Sequence, residues 1–279
     1  MGSAFLGSGL KRRNTRTVSI TSGKGGVGKT VLLSNVAIHL GRQGKKVLIL
    51  DGDLAMANVD IAFGVRPKGT IYDVINGKKI MNDIIIEVAP SVFLIPGGSG
   101  IYDLQYLNRF QKRDLLEQIS NIDFEFDYLL IDTGPGIDDN VLYLNSAAQE
   151  ICIVVTPDPA SLKDAYALIK VLNQKQKEDK FSIICNQVKD EKDGLALYKR
   201  LSDVVDKFLY VSLDYKGHVA WDPDLSRATK AQQLVARSNI YAPSNRLIMR
   251  LAENLSCSED VGYAKGGLQF FWEQLLELA

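Results

Sequence analysis

Cysteine is scarce. The 279 residues contain three, Cys152, Cys185 and Cys257, and no two stand at CxxC spacing. That excludes a zinc ribbon and a disulfide framework, and a reducing cytoplasm is the simplest compartment. Net charge is also missing, because Lys plus Arg is 33 and Asp plus Glu is 33. A strongly basic nucleic-acid binder is therefore excluded, and any such contact must come from a local patch. No run approaches the roughly 18 apolar residues of a membrane span. The first residues, MGSAFLGSGLKRRNTR, are not a secretory signal, since the apolar stretch is short and the basic cluster Lys11, Arg12, Arg13 and Arg16 follows it. There is no Pro-rich linker, internal repeat or low-complexity tract. What is present is ordinary globular composition, 46% hydrophobic and 24% charged, at a length that suits one large α/β domain.

Strand-like apolar runs recur at 17–21, 47–51, 92–95, 128–132, 151–156, 181–186 and 208–213. Most are continuous, as expected of strands buried on both faces of a parallel sheet. Helical patterns lie between them at 29–43, 107–120, 140–149, 162–174, 195–206 and 243–255. The alternation predicts a doubly wound, mostly parallel sheet with helices on both faces and right-handed crossovers. Residues 1–16 read as a flexible basic tail, 17–256 as the domain, and 257–279 as a linker with an amphipathic helix.

After the first strand comes Gly23-Lys24-Gly25-Gly26-Val27-Gly28-Lys29-Thr30, followed at once by an apolar-periodic helix. This fits G-x-x-x-x-G-K-[ST] in the strand–loop–helix context that the pattern requires. Glycines let consecutive backbone N–H groups converge on phosphate oxygens, and the new helix adds its positive end. Lys29 is expected to pair with the β- and γ-phosphates and Thr30 to ligate Mg²⁺. The second strand ends in Asp51-Gly52-Asp53, and strand C-termini in such sheets converge on the ligand crevice. Asp51 also suits a turn carboxylate. The run Tyr128-Leu129-Leu130-Ile131 ends in Asp132, which a buried strand presents to a metal's water shell. Gly134-Pro135-Gly136 then has the composition of a switch hinge. In Asn186-Gln187-Val188-Lys189-Asp190 the Asp falls one place too late for the guanine-reading Asn-Lys-x-Asp. Asn186 can offer an amide donor and acceptor to an adenine edge, which favours ATP.

Lys24 inside KGGVGKT resembles the deviant Walker A loop of the MinD/ParA family of ATPases. The segment from Asp51 to Asp60 resembles D-x-D-L-G-L-A-N-V-D of that family's flagellar branch, called FlhG or FleN. Thr156 to Lys170 is similar to T-x-E-P-T-S-I-T-D-A-Y-A-L-I-K, and Gly266 to Leu275 to G-x-L-x-F-F-x-x-x-L. The resemblance runs from about Thr17 to the C-terminus. Pro135 stands where flagellar members usually have Ala, and is more MinD-like.

The resemblance implies a dimerising ATP hydrolase, slow without an activator, that regulates flagellum number or placement. It implies that Lys24 reaches the partner's phosphates across a nucleotide-sandwiched homodimer, whereas a solvated surface lysine is the plain alternative. Asp53 is implied to orient the attacking water, and Asp51 to help hold Mg²⁺ or the switch segment. Implied partners are an FlhF-type GTPase, a FleQ-type transcription regulator or flagellar basal-body proteins, with a location at the inner face of the cell membrane or the cell pole. A ParA-like module binding DNA as an ATP dimer is the competing reading. Arg227, Lys230, Arg237, Arg246 and Arg250 are its only candidate stripe, and zero net charge argues against direct nucleic-acid binding.

In the C-terminal helix Leu268, Phe271, Trp272 and Leu275 share one face. By resemblance this face targets lipid, but the helix carries no Lys or Arg to attract anionic headgroups. A helix docked on the domain is the alternative, and docking with release on dimerisation joins the two. His39 and His218 have no nucleophile partner and read as structural.

Overall fold

The computed structural model describes residues 15–53, 58–97, 107–122, 125–257 and 268–276. Eight strands form one sheet: β1 (Arg16–Ser22), β2 (Val47–Gly52), β3 (Ile86–Ala89), β4 (Val92–Ile95), β5 (Tyr128–Pro135), β6 (Glu150–Val155), β7 (Lys180–Val188) and β8 (Ser212–Ala220). Their order is β3-β4-β2-β5-β1-β6-β7-β8. All neighbouring pairs are parallel except β3 with β4. The helices are α1 (Lys29–Arg42), α2 (Val59–Phe63), α3 (Ile71–Ile75), α4 (Met81–Ile84), α5 (Arg109–Ser120), α6 (Asp139–Ala147), α7 (Pro159–Gln176), α8 (Glu191–Phe208), α9 (Pro223–Lys230), α10 (Val235–Ser238), α11 (Pro243–Cys257) and α12 (Leu268–Leu275).

The continuous apolar runs follow from this layering. Successive residues of a strand point to opposite faces. Val18, Ile20, Ile49 and Leu130 pack toward α1 and α11. Leu48, Leu50, Leu129 and Ile131 pack the other way, against α5, α6 and α12. Ile151, Ile153 and Val155 meet α7 and α8 on that same side. β1 lies between β5 and β6, so consecutive crossovers diverge there and open a crevice at the strands' C-terminal ends.

Three expectations need correction. The strand expected at 208–213 starts later and runs further: α8 continues to Phe208, and β8 begins at Ser212 and ends at Ala220. Leu197, Leu201 and Val205 keep the helix face buried at a spacing of four, and β8 is an edge strand whose polar alternation gives a weak apolar signal. The short β3, which forms a hairpin with β4, is an additional strand. The tail expected over residues 1–16 overlaps the fold at Thr15 and Arg16. The Thr15 hydroxyl donates to Phe126 O at 2.8 Å, and Arg16 begins β1 with its guanidinium on Glu150. Residues 1–14, with Lys11, Arg12 and Arg13, lie outside the described residues.

The buried cysteines Cys152 and Cys185 are sheet residues, and burial pushes both thiols up. His39 lies on α1, and its Nε2 is 2.8 Å from Asn245 Oδ1 on α11. Both observations match a packing role. No described helix is long and apolar enough to cross a membrane.

Candidate functional site

At the crevice, the loop from Gly23 to Gly28 turns β1 into α1. Gly28 caps α1 in the left-handed region, φ 95°. A Cβ there would also lie 2.7 Å from Asn186 Nδ2, so two constraints coincide on this glycine. Gly23 is needed for approach: a Cβ would come within 2.2 Å of the Asp164 carbonyl on α7. Lys29 is buried at the base, its Nζ donating to Ser22 Oγ at 3.0 Å. Burial holds its pKa below the ordinary lysine value, partly offset by Asp132 and Asp53.

Thr30 Oγ1 donates to Asp132 Oδ2 at 2.6 Å. Asp51 and Asp132 are register partners on β2 and β5. Burial pushes Asp132 up to about 7, with the Thr30 hydrogen bond and Lys29 opposing and Asp53 adding to the rise. Asp51 rises to about 8, first through burial and then through the charge of Asp132. Its carboxylate accepts from Val59 N at 3.2 Å and Asp53 N at 3.4 Å. Asp51 therefore ties the loop after β2, the turn role weighed above, as well as facing Asp132. Asp132 Oδ1 is buried with no hydrogen-bond partner among the described residues. A hydroxyl and a carboxylate oxygen without a partner, beside a second carboxylate, fit a hard divalent cation that keeps part of its water shell.

The cleft above these groups has a volume of about 520 Å³. Gly25, Gly26, Lys29, Thr30, Asp53 and Pro135 line its phosphate end. Asn186 also lines the cleft, with its Nδ2 donating to Val27 O at 2.7 Å, so part of its amide is committed to the loop. Lys24 does not line the cleft; its Nζ forms an ion pair with Asp158, the N-cap of α7. Residues 54–57, within the segment from Asp51 to Asp60, lie outside the described residues.

The sequence reading missed the far wall: Gln187, Ala220, Trp221, Leu225, Thr229 and the face of Lys230. Gln187 adopts φ 57° just after Asn186. Placing a strand at 208–213 hid the true C-terminal end of β8 at Ala220. The signal was available in Asp222-Pro223, an N-cap followed by proline at the first helical position. Of the proposed basic stripe, Arg227 is paired with Asp224, and Arg237 donates to Val88 O and lies over the Phe63 ring.

The expected lipid face is turned inward. Phe271, Trp272 and Leu275 are buried on α5 and α6, because an apolar face beside an open groove removes itself from water. The side chain of Leu268 lies outside the described residues.

An AAA-domain family profile matches residues 15–185. Antiactivator FleN of Pseudomonas aeruginosa is 34% identical over 262 residues, covering 94% of each chain. Flagellum site-determining protein YlxH of Helicobacter pylori is 34% identical over 268 residues, 95% of this chain and 90% of that protein. The chain belongs to the MinD/ParA family of P-loop ATPases. Its activity is ATP hydrolysis, in a family of regulatory ATPases. Among solved structures, MinD of Aquifex aeolicus superposes with a TM-score of 0.68 at 27% identity, covering 88% of this chain and 98% of that one. MinD of Pyrococcus horikoshii, solved with Mg-ADP, gives 0.67 at 27% identity over 87% and 96%. This MinD/ParA chain therefore shares the MinD fold over nearly nine tenths of its length.

Proposed function

We propose that the chain is an ATP-dependent dimerising switch that regulates flagellum number or placement. The observation that carries this reading is the position of Lys24. The cleft already holds a buried cation, Lys29, while Lys24 stands outside it at the lip, its side chain 39% exposed. A second lysine there suits the phosphates of a facing copy better than its own.

Within each cleft, Lys29 and the backbone N–H groups from Gly23 to Thr30 bind the phosphates. Thr30 and Asp132 hold Mg²⁺, partly through water, and Asp51 supports them. Held there, Mg²⁺ would supply positive charge to the phosphates. Asp53 orients the attacking water, Asn186 faces the base, and Lys24 of the facing copy completes the charge neutralisation. Catalysis is positioning and electrostatics, with no covalent intermediate.

Docked α12 and the dimer reading combine into reversible membrane association. In the single chain α12 lies in its groove. In the ATP dimer two helices are released together, so two weak anchors act as one stronger one. The name of the flagellum site-determining relative YlxH supports a flagellar output, and that of the antiactivator FleN a regulatory one. An FlhF-type GTPase, a FleQ-type regulator or basal-body proteins are the corresponding partners, at the inner membrane face or the pole. Within the one chain, residues 17–256 form the ATPase part and 257–279 the linker and helix.

Light scattering in a non-hydrolysable ATP analogue against ADP tests the switch. Wild type is expected to dimerise only with the analogue, and Lys24→Ala to stay monomeric while retaining nucleotide. A wild type that remains monomeric overturns the reading. Liposome co-sedimentation with ATP, with ADP and after truncation at Gly266 tests the membrane step. ATP-dependent, salt-sensitive DNA retention would favour a ParA-like module instead.

A further inference from the structure

The docked helix contains one misfit. Phe271, Trp272 and Leu276 are 0% exposed and Leu275 is 2% exposed. They pack with Leu115 and Ile119 of α5 and Leu144 and Ala147 of α6. The Phe271 and Trp272 rings meet edge to face at 5.5 Å, and Tyr143 Oη on α6 donates to Gln274 O at 3.2 Å. Yet Trp272 Nε1 is buried with no hydrogen-bond partner among the described residues. An indole nitrogen is a donor only, so no change of tautomer or role can satisfy it. Buried Trp N–H groups ordinarily find an acceptor, and one that does not loses its hydration without return.

Apolar burial cannot choose between the groove and a lipid surface. Both remove Phe271, Leu275 and Leu276 from water, and the transfer term is similar. The indole N–H does choose. In the groove it is buried without an acceptor among the described residues. At the lipid–water boundary a Trp ring lies in the apolar layer while its N–H reaches headgroup oxygens or interfacial water.

We infer that the unpaired Trp272 N–H is a built-in weakness of the docked state, which keeps α12 releasable, and that its partner on release is the oxygen-rich headgroup zone of a lipid surface. This rests on the release of α12 proposed above. Trp272 thereby sets the docking equilibrium, and the rest of the face supplies affinity common to both states.

The test replaces Trp272 in the full chain by 3-benzothienylalanine, which keeps the ring shape and exchanges the N–H for sulfur. Hydrogen exchange of the backbone amides of 268–276 without nucleotide measures docking. Protection is expected to rise about tenfold, and retention on phosphatidylcholine vesicles in a non-hydrolysable ATP analogue to fall in parallel. Unchanged or lower protection overturns the inference. Trp272→Phe gives a second measurement: it also lacks the N–H, and it should lose less protection than Phe271→Leu although it removes more volume. An equal or larger loss counts against the inference. Failure of the release reading shows elsewhere, as wild-type protein that binds vesicles equally with and without the ATP analogue.

Discussion

Lys24 Nζ is bound to the carboxylate of Asp158 in the same chain, and Asp158 Oδ1 at the same time accepts Ala160 N at 2.9 Å to cap α7. One carboxylate therefore starts a helix and holds the lysine that the dimer reading assigns to a facing copy. Lys24 holds the Asp158 carboxyl below the usual range through its hydrogen bond, with the Ala160 N–H adding to the effect.

Asp158→Asn keeps the cap, since Asn serves there as well as Asp, but releases Lys24. Dimerisation in a non-hydrolysable ATP analogue is expected at a protein concentration lower by a few-fold, because exposed ion pairs are weak. Light scattering over a concentration series measures it. An unchanged midpoint would show that the contact within the chain does not compete with dimerisation.

Asp53→Ala separates binding from chemistry. Asp53 lines the phosphate end of the cleft without taking part in the glycine loop. Turnover is expected to fall about 100-fold or more, with nucleotide affinity and dimerisation retained. Phosphate release and light scattering on one preparation check both. Rapid turnover in the variant contradicts the water-orienting role.

Asp132→Asn removes a carboxylate raised first by its own burial, and with it the charge that, after burial, raises Asp51. The metal-free variant is expected to melt about 2–4 °C higher, while Mg²⁺ no longer tightens nucleotide binding. Calorimetry in EDTA and nucleotide titration with and without Mg²⁺ measure the two effects.

His39 gives one part of the pH dependence, opposed by Asp51 and Asp132, whose raised values favour the folded chain as pH falls. Burial holds its pKa below 6.5, with the Asn245 hydrogen bond opposing. The unfolded chain therefore binds a proton near pH 6.5 that the folded chain resists. Stability is fully present above that value and is lost as pH falls below it. Melting temperatures between pH 7.5 and 5.5 should fall more in wild type than in His39→Gln.

The two tryptophans report separate events. Trp221 is 65% exposed at the cleft wall, whereas Trp272 is 0% exposed on the inward face of α12. Trp221→Phe should abolish the fluorescence response to ADP while leaving the red shift that accompanies helix release in the ATP state. A full ADP response in the variant would remove Trp221 from the nucleotide wall.

Much of this molecule was legible along the chain, for reasons that particular residues make clear. The phosphate loop is local: strand, glycines, Lys29, Thr30 and helix follow one another, so spacing alone specifies the geometry. Asp51 and Asp132 were legible because each closes the apolar run of its strand, and parallel strands deliver such positions to one edge. Trp221 and Leu225 were not, because β8 is an edge strand whose polar alternation carries little apolar signal, and its end was misplaced.

The sequence by itself determined the layered fold, the phosphate loop and the acids at the strand ends, because periodicity and short spacing are properties of the chain. Tertiary structure alone decided which way the apolar face of α12 points, that Lys24 meets Asp158, and that Trp272 is buried without an acceptor. Those three depend on which distant surfaces come into contact. An amphipathic helix has the same pattern whether its apolar side meets protein or lipid, and only packing shows which.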